Sequence, residues 1–452
     1  MTSSKSPAAG TGVTFSPRAQ AFASQQNLTD RSHAYRRSWL LSGLTSFGGL
    51  LVRVNPAVSL FAASLILLAP VNALAQDAQA NNSVRERSRP EYDPLGMRFG
   101  GFTLNASADL AVQSTDNVFA ADAGAEEDMI YSIAPEASLR SNWSRHALLV
   151  EGGARFENHQ DFSDEDAETG FARLYGRLDI GSRSNVAVDA ELAHEAEDRT
   201  DADAPVLGDR VEFDRSDIAL LGEHTFNRFK LSGAVLRREY SYDGTQNIRD
   251  NEENALRGRL DVEVSPRLGV MLQATADERS YDNNAGLDSE GRRLLAGVTV
   301  NFTDLLRGEV AVGQFERDYD NGASVDGLAI DANLEWYPTG LTTVTFQAHR
   351  NAEDVVGVSA SPFTESEYGL RVDHELLRNV ILSAGALSGT REYETIDRED
   401  EYLRAEAGAD YLLNRRVALR ARYVFDDLQS SGALARPDFE VNAFTLGVSF
   451  RL

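Results

Sequence analysis

From Phe102 to its last residue the chain alternates apolar and polar side chains with a period of two, in runs of about ten to fourteen residues. That period marks a β-strand with two unlike faces. In the first run Phe102, Leu104, Ala106, Ala108, Leu110 and Val112 share one face, while Thr103, Asn105, Ser107 and Asp109 share the other. The pattern returns in Leu256, Gly258, Leu260, Val262 and Val264 against Arg257, Arg259, Asp261 and Glu263. It returns again in Leu328, Ile330, Ala332, Leu334 and Trp336 against Asp331, Asn333 and Glu335. Taken alone, such strands fit a soluble sandwich as well as a membrane barrel.

The connections decide between the two. Short turns fall near Trp143, Arg183, Asn227, Pro266, Asp304, Pro338, Arg378 and Asn414. Between them lie longer acidic loops over 157–167, 198–210, 243–253, 282–290, 352–362 and 427–437. Short turns on one rim and long loops on the other are the signature of an outer-membrane barrel. The runs number about eighteen, and an even count leaves both chain ends on the short-turn, periplasmic side. A tilted spanning strand needs ~9–11 residues and a membrane helix ~20 apolar ones; the runs meet the first length, and no segment after residue 75 meets the second. The fold class is therefore all-β, a transmembrane antiparallel up-and-down barrel. Trp143 and Trp336, with Phe226, Phe229, Phe302 and Tyr337, cluster at the short turns, as a periplasmic aromatic girdle would; turn-flanking core aromatics are the plain alternative.

Ahead of the barrel, residues 57–71 form a compact apolar stretch preceded by Arg53 and followed by Ala73-Leu74-Ala75, which reads as a secretory signal cut before Gln76. Residues 1–75 are thus a signal peptide with a long N-terminal extension. A translation start near Val52 would give a signal of ordinary length, which N-terminal sequencing of the precursor tests. Residues 76–101, polar and broken by Pro90 and Pro94, read as a periplasmic lead-in, and 102–452 as the barrel. The first 75 residues carry six basic and one acidic side chain, so the whole-chain charge of −26 becomes −31 for the 377 that remain. That sign gives no footing for nucleic acid. With no cysteine in the chain, disulfides, thiolate metal sites and cysteine nucleophiles are excluded.

The chain ends on an alternating strand in which Phe444, Leu446, Val448, Phe450 and Leu452 share a face. The pattern Thr445-x-Gly447-x-x-Phe450-x-Leu452 resembles the targeting signal of outer-membrane barrels, although Leu452 stands where an aromatic is commoner. The resemblance implies that the barrel-assembly machinery reads this strand by edge pairing. A second resemblance lies near the start: Tyr92-Asp93-Pro94-Leu95-Gly96-Met97-Arg98-Phe99-Gly100, then Thr115-Asp116-Asn117-Val118-Phe119, Ala134-Pro135 and Ser141-Asn142-Trp143-Ser144-Arg145-His146. These look like the opening of the putative β-barrel porin family of alphaproteobacterial outer membranes. Membership implies an outer-membrane barrel with a suspected role in exopolysaccharide or capsule export, and brings no assigned functional residues.

Four strands end on the same pair just before a long loop: Arg238/Tyr240, Arg279/Tyr281, Arg317/Tyr319 and Arg391/Tyr393. Parity puts all eight on the inner face near the outer mouth, where guanidinium groups beside rings could bind anions or stack on passing sugars. In the plainer reading each arginine pairs with an acid such as Asp243, Asp282, Asp318 or Glu392, and the tyrosines pack the rim. The inner face mixes signs, with Arg173, Arg177, Arg257, Arg259, Arg404, Arg420 and Arg422 against Asp179, Asp189, Glu191, Asp261, Glu263, Asp331, Glu335 and Glu406, which argues for a wet interior. Loop acids (Asp161, Asp164, Glu165, Asp166 and Glu168; Asp201 and Asp203; Asp250, Glu252 and Glu253; Asp397, Glu399, Asp400 and Glu401) lack calcium-loop spacing and read as solvated loops. His146, His159, His194, His224, His349 and His374 are scattered and fit no hydrolase motif; His194 and His349 read as surface residues. The expectation is a channel, not an enzyme, with no cofactor and no metal, passing polar solutes or polysaccharide through outer-membrane lipid. A plugged receptor or anchor is the alternative, and a barrel-rim hydrolase the more remote one.

Overall fold

The computed structural model describes residues 83–452, apart from 202, 203, 205–207, 209, 303, 304 and 356–360. Ala73 and Ala75, the expected signal cleavage site, and the turn residue Asp304 lie outside the described residues. The strands run β1 Met97–Phe99, β2 Phe102–Thr115, β3 Asp128–Ser141, β4 Ala147–His159, β5 Ala167–Ile180 and β6 Ser184–Ala196. They continue as β7 Glu212–Phe226, β8 Phe229–Tyr242, β9 Asn251–Ser265, β10 Leu268–Tyr281, β11 Ser289–Phe302 and β12 Leu306–Tyr319. The rest are β13 Ser324–Thr339, β14 Thr342–Val355, β15 Ser361–Leu377, β16 Val380–Tyr393, β17 Glu399–Leu412, β18 Val417–Ser431 and β19 Phe439–Arg451. Each strand from β2 to β19 pairs antiparallel with the next, and β19 closes on β2 from Ala443–Thr115 to Arg451–Ser107. The result is a closed barrel of eighteen strands. β1 pairs with β2 at Phe102–Leu104, beyond the end of β19.

Parity sorts the side chains. On β8, Phe229, Leu231 and Val235 are exposed on the outside, while Ala234, Arg238 and Tyr240 are buried inside. On β10, Val270 and Leu272 face out and Met271 faces in. A belt of exposed leucine, valine and isoleucine encircles the barrel, far more apolar surface than a protein in water carries. A 14-residue strand at ~3.3 Å per residue and ~40° tilt rises about 35 Å, some 10 Å more than an apolar band of ~25 Å. The excess lies on the loop side, where the outer face of β8 turns to Arg237 and Glu239 and that of β11 to Arg292 and Glu290.

Several expectations need correction. Connections on the outer rim at 160–166, 243–250, 282–288 and 432–438 are shorter than the expected loops because the strands continue outward, whereas 197–211 is slightly longer than expected. The alternation of lengths is not strict, since 320–323 is a four-residue connection in which Gly322 (φ +88°) turns the chain tightly. Pro338 lies inside β13, at the register shift between Trp336 and Thr339, with the turn beyond it; a proline has no N–H for the ladder and fits such an irregularity. Tyr337 leaves the girdle. It is buried on the inner face, its hydroxyl bonded to Glu335, whereas Trp143, Phe226, Phe229, Phe302 and Trp336 are exposed outside at the short-turn rim. His349 is likewise buried inside rather than on the surface.

Candidate functional site: the outer mouth

The inner face is dense with ion pairs. Arg173 meets Asp189 at 2.7 Å, Arg404 meets Asp426 at 3.2 Å and Arg420 meets Asp109 at 3.0 Å. Between β9 and β14 the wall curls tightly enough for Arg259 to reach Glu309, three strands on, at 2.6 Å, and for Arg279 to reach Glu353, four strands on, at 3.2 Å. Met271, Leu295, Ala311 and Ala329 pack together on the inner face of the same sector. Much of the charge is therefore satisfied by other side chains, and a mixed-sign interior does not by itself demand water.

All eight residues of the Arg/Tyr pairs are buried on the inner face. Their arginines bind acids on nearby strands, not those adjacent in sequence. Arg238 meets Asp217 at 2.5 Å and Glu253 at 3.5 Å. Arg279 takes Glu353, Arg317 takes Asp277 and the Ser289 hydroxyl at 2.9 Å, and Arg391 takes Glu365 at 3.0 Å. The tyrosines pack against loop and strand-end residues at the outer rim: Tyr240 with Val211, Tyr281 with Leu287, Tyr319 with Val325, and Tyr393 with Phe363 and Ile396. The four pairs do not converge on one centre; the Arg391/Tyr393 pair sits in the assembly that narrows the mouth, and Tyr240 touches its inward connection at Val211.

That assembly is invisible to period-two parity. The connection 197–211, between β6 and β7, folds inward. At its root Glu197 binds Arg249 (3.1 Å to Nη1), whose guanidinium lies 4.3 Å from the Tyr242 ring centre, and Arg210 binds Glu157 at 3.3 Å. Further along, Arg199 pairs with Glu165 and donates to the Gly208 carbonyl at 2.6 Å. The far end meets the opposite side of the barrel, where Arg436, between β18 and β19, donates to the Asp201 carbonyl at 2.9 Å. Around it stand Arg391, 4.4 Å from the Tyr402 ring centre, and Arg398, 4.5 Å from that of Tyr393 and 2.5 Å from Asp400. Burial and the neighbouring guanidinium groups of Arg398 and Arg391 lower the pKa of Arg436. Nη1 of Arg391, Nε of Arg404 and Nε of Arg436 make no hydrogen bond among the described residues. An acidic loop thus faces an arginine-rich wall across the mouth.

Burial and the carboxylates of Asp198 and Glu197 push Asp201 well above the usual carboxylate range, and Arg391 only partly opposes them. A carboxyl with a raised pKa in the seated loop favours seating while protonated, and that contribution is lost as pH rises through the raised value. Charged groups facing it are Glu197, Asp198 and Arg391, with Arg436 on its carbonyl. Unitary conductance is therefore expected to climb as pH rises past the ordinary carboxylate range, and Asp201→Asn to stay at the acidic-side value throughout. Single-channel recording at each pH reads this directly.

Other expected sites are placed without forming a centre. Thr445 donates to the Gln113 side chain at 3.1 Å, Gly447 pairs with Ala111 and Arg420, and Phe450 and Leu452 are exposed outside on the closing strand. Ser184 Oγ lies 2.6 Å from His224 Nδ1 near the short-turn rim, a pair that would still need an orienting acid to resemble a hydrolase triad. No cluster of metal-binding side chains occurs among the described residues.

A family model described as Putative beta-barrel porin 2 matches residues 89–452. Solved structures aligning with the chain include OpdL of Pseudomonas aeruginosa, at 14% identity and a TM-score of 0.44 over 78% of this chain and 100% of that one. OccAB2 of Acinetobacter baumannii aligns at 12% identity and 0.45, over 78% and 98%. The siderophore receptor PirA of Pseudomonas aeruginosa aligns at 9% identity and 0.42, over 79% and 81%. No curated protein matches the chain.

Proposed function

The chain belongs to the Putative beta-barrel porin 2 family, a porin-like barrel of the outer membrane, and from that premise we propose that it is a passive channel for small polar solutes, with a preference for those carrying carboxylate or hydroxyl groups. The observation that carries this reading is the arginine wall at the outer mouth. Arg391, Arg404 and Arg436 keep N–H groups there that no described residue accepts, and aromatic rings hold two of the three guanidinium planes. A cluster of guanidinium groups at the mouth favours passing solutes of opposite charge through its field, even where the individual N–H groups are covered. Sugars bearing carboxylates, including the acidic strands of an exopolysaccharide, carry that charge.

The test is purified protein in a planar bilayer. Discrete conductance steps are expected, with a reversal potential in a KCl gradient favouring chloride, and that preference should weaken in Arg391→Gln and Arg436→Gln. A reversal potential favouring potassium in the parent protein defeats the anion reading. The second reading, a receptor or anchor with a blocked lumen, is favoured by one observation: residues 83–87 and the Arg89 side chain lie inside the short-turn end of the barrel. Silence in the bilayer, with folded protein, would select it.

A further inference from the structure

The lead-in does not hang free below the barrel. Tyr92 accepts a hydrogen bond from Arg451 (3.4 Å) at the end of β19, Pro90 one from Arg415 (2.6 Å) in the β17–β18 turn, and Ser88 one from Arg378 (3.4 Å) in the β15–β16 turn. From there the chain enters the lumen. Arg87 and Arg89 share Glu375 at 3.3 and 2.9 Å, and Arg85 bridges Asp373 (2.6 Å) and Asp410 (3.1 Å). Glu86 meets Arg307 at 2.7 Å, and the Val84 N–H donates to the Thr343 hydroxyl at 2.9 Å. Val84 is fully buried and Arg89 nearly so. The segment turns at its inner end, where the Glu86 and Arg87 N–H groups donate to the Ser83 carbonyl, and its three arginines meet the inward carboxylates Asp373 and Glu375 of β15. Burial works against charge on Arg85, but Asp373 and Asp410 outweigh it and raise its pKa.

We propose that residues 83–93 are an internal strap that narrows the periplasmic mouth and limits flow there, held by the arginine–carboxylate ladder and detachable without unfolding the wall. The wall strands keep their own backbone pairing beneath it, so losing the ladder releases the strap and leaves the barrel. A bare lumen at that end would uncover Asp373 and Glu375 of β15 and Asp410 of β17, carboxylates on one side of the wall that would then share, among the described residues, only Arg371, Arg378 and Arg420.

The test compares unitary conductance of three full-length proteins and one deletion, each checked for a folded barrel by heat-dependent mobility on a gel. Deleting 83–93, or reversing the anchors with Asp373→Lys and Glu375→Lys, is expected to raise conductance at least about twofold, because the narrowest section governs flow. The chain contains no cysteine, so Val84→Cys with Thr343→Cys supplies the only thiols. A short bismaleimide should join them, and the joined protein should keep the parent conductance. Since the outer loop lies in series, each measurement is repeated with 198–210 excised. The proposal is overturned if the thiols do not join, or if deletion and anchor reversal both leave conductance unchanged in the two backgrounds. A silent parent that conducts after strap deletion supports it, whatever the solute.

Discussion

Replacing Leu220 by arginine is expected to destabilise the barrel by ~2–4 kcal/mol, whereas arginine at Ser241 costs about 0–1 kcal/mol. Both positions face outward; Leu220 lies within the apolar belt, and Ser241 beyond it, past Arg237 and Glu239 on β8. In hydrocarbon a guanidinium must thin the bilayer or reach for its edge, and the penalty grows with depth. A protein whose exposed leucines met water would show little difference between the two sites. Equilibrium refolding into lipid vesicles across a urea series measures both costs, and equal values would remove the belt from the membrane.

Excising 198–210 and joining the strand ends with a short glycine–serine turn is expected to raise unitary conductance about two- to threefold, the scale of reopening an occluded lumen in a barrel of this strand number. The wall should tolerate the change, since β6 and β7 pair continuously from Ser184–His224 to Ala196–Glu212 and surface connections can be shortened at low cost. The same excision removes Asp201, so the dependence on pH should vanish with it. The effect should appear in the parent and be larger once the strap is deleted. No change in either background would show that the loop does not limit passage, even though Arg436 holds it across the mouth.

The wall is legible in the sequence because each strand declares its own two faces. Leu256 and Leu260 against Arg257 and Arg259 fix which face is which without knowing any neighbour, and repeating that test along the chain gives eighteen strands. Tyr337 is legible by the same rule, since Trp336 faces out and its neighbour must face in; its place beside a turn is the weaker guide. Partners are not legible. Arg317 finds Asp277 and Arg279 finds Glu353 only once registers and curvature are known. The inward loop depends on Arg199 meeting Glu165 and on Arg436 meeting Asp201, contacts in segments where no alternation exists to read. The lead-in carries one signal that its polar, proline-broken composition masks: Arg85, Arg87 and Arg89 at alternate positions ahead of an otherwise acidic chain.

The strap, the short strand β1 and the first wall strand are one uninterrupted piece of polypeptide, and β1 sits on β2 just past where the final strand ends. The ladder's carboxylates lie on β15 and β17, late in the chain, so the arginines at its start have no partners until those strands are in place. Narrowing of the inner end by the proposed strap is therefore expected to follow the arrival of those late strands rather than to accompany the first ones.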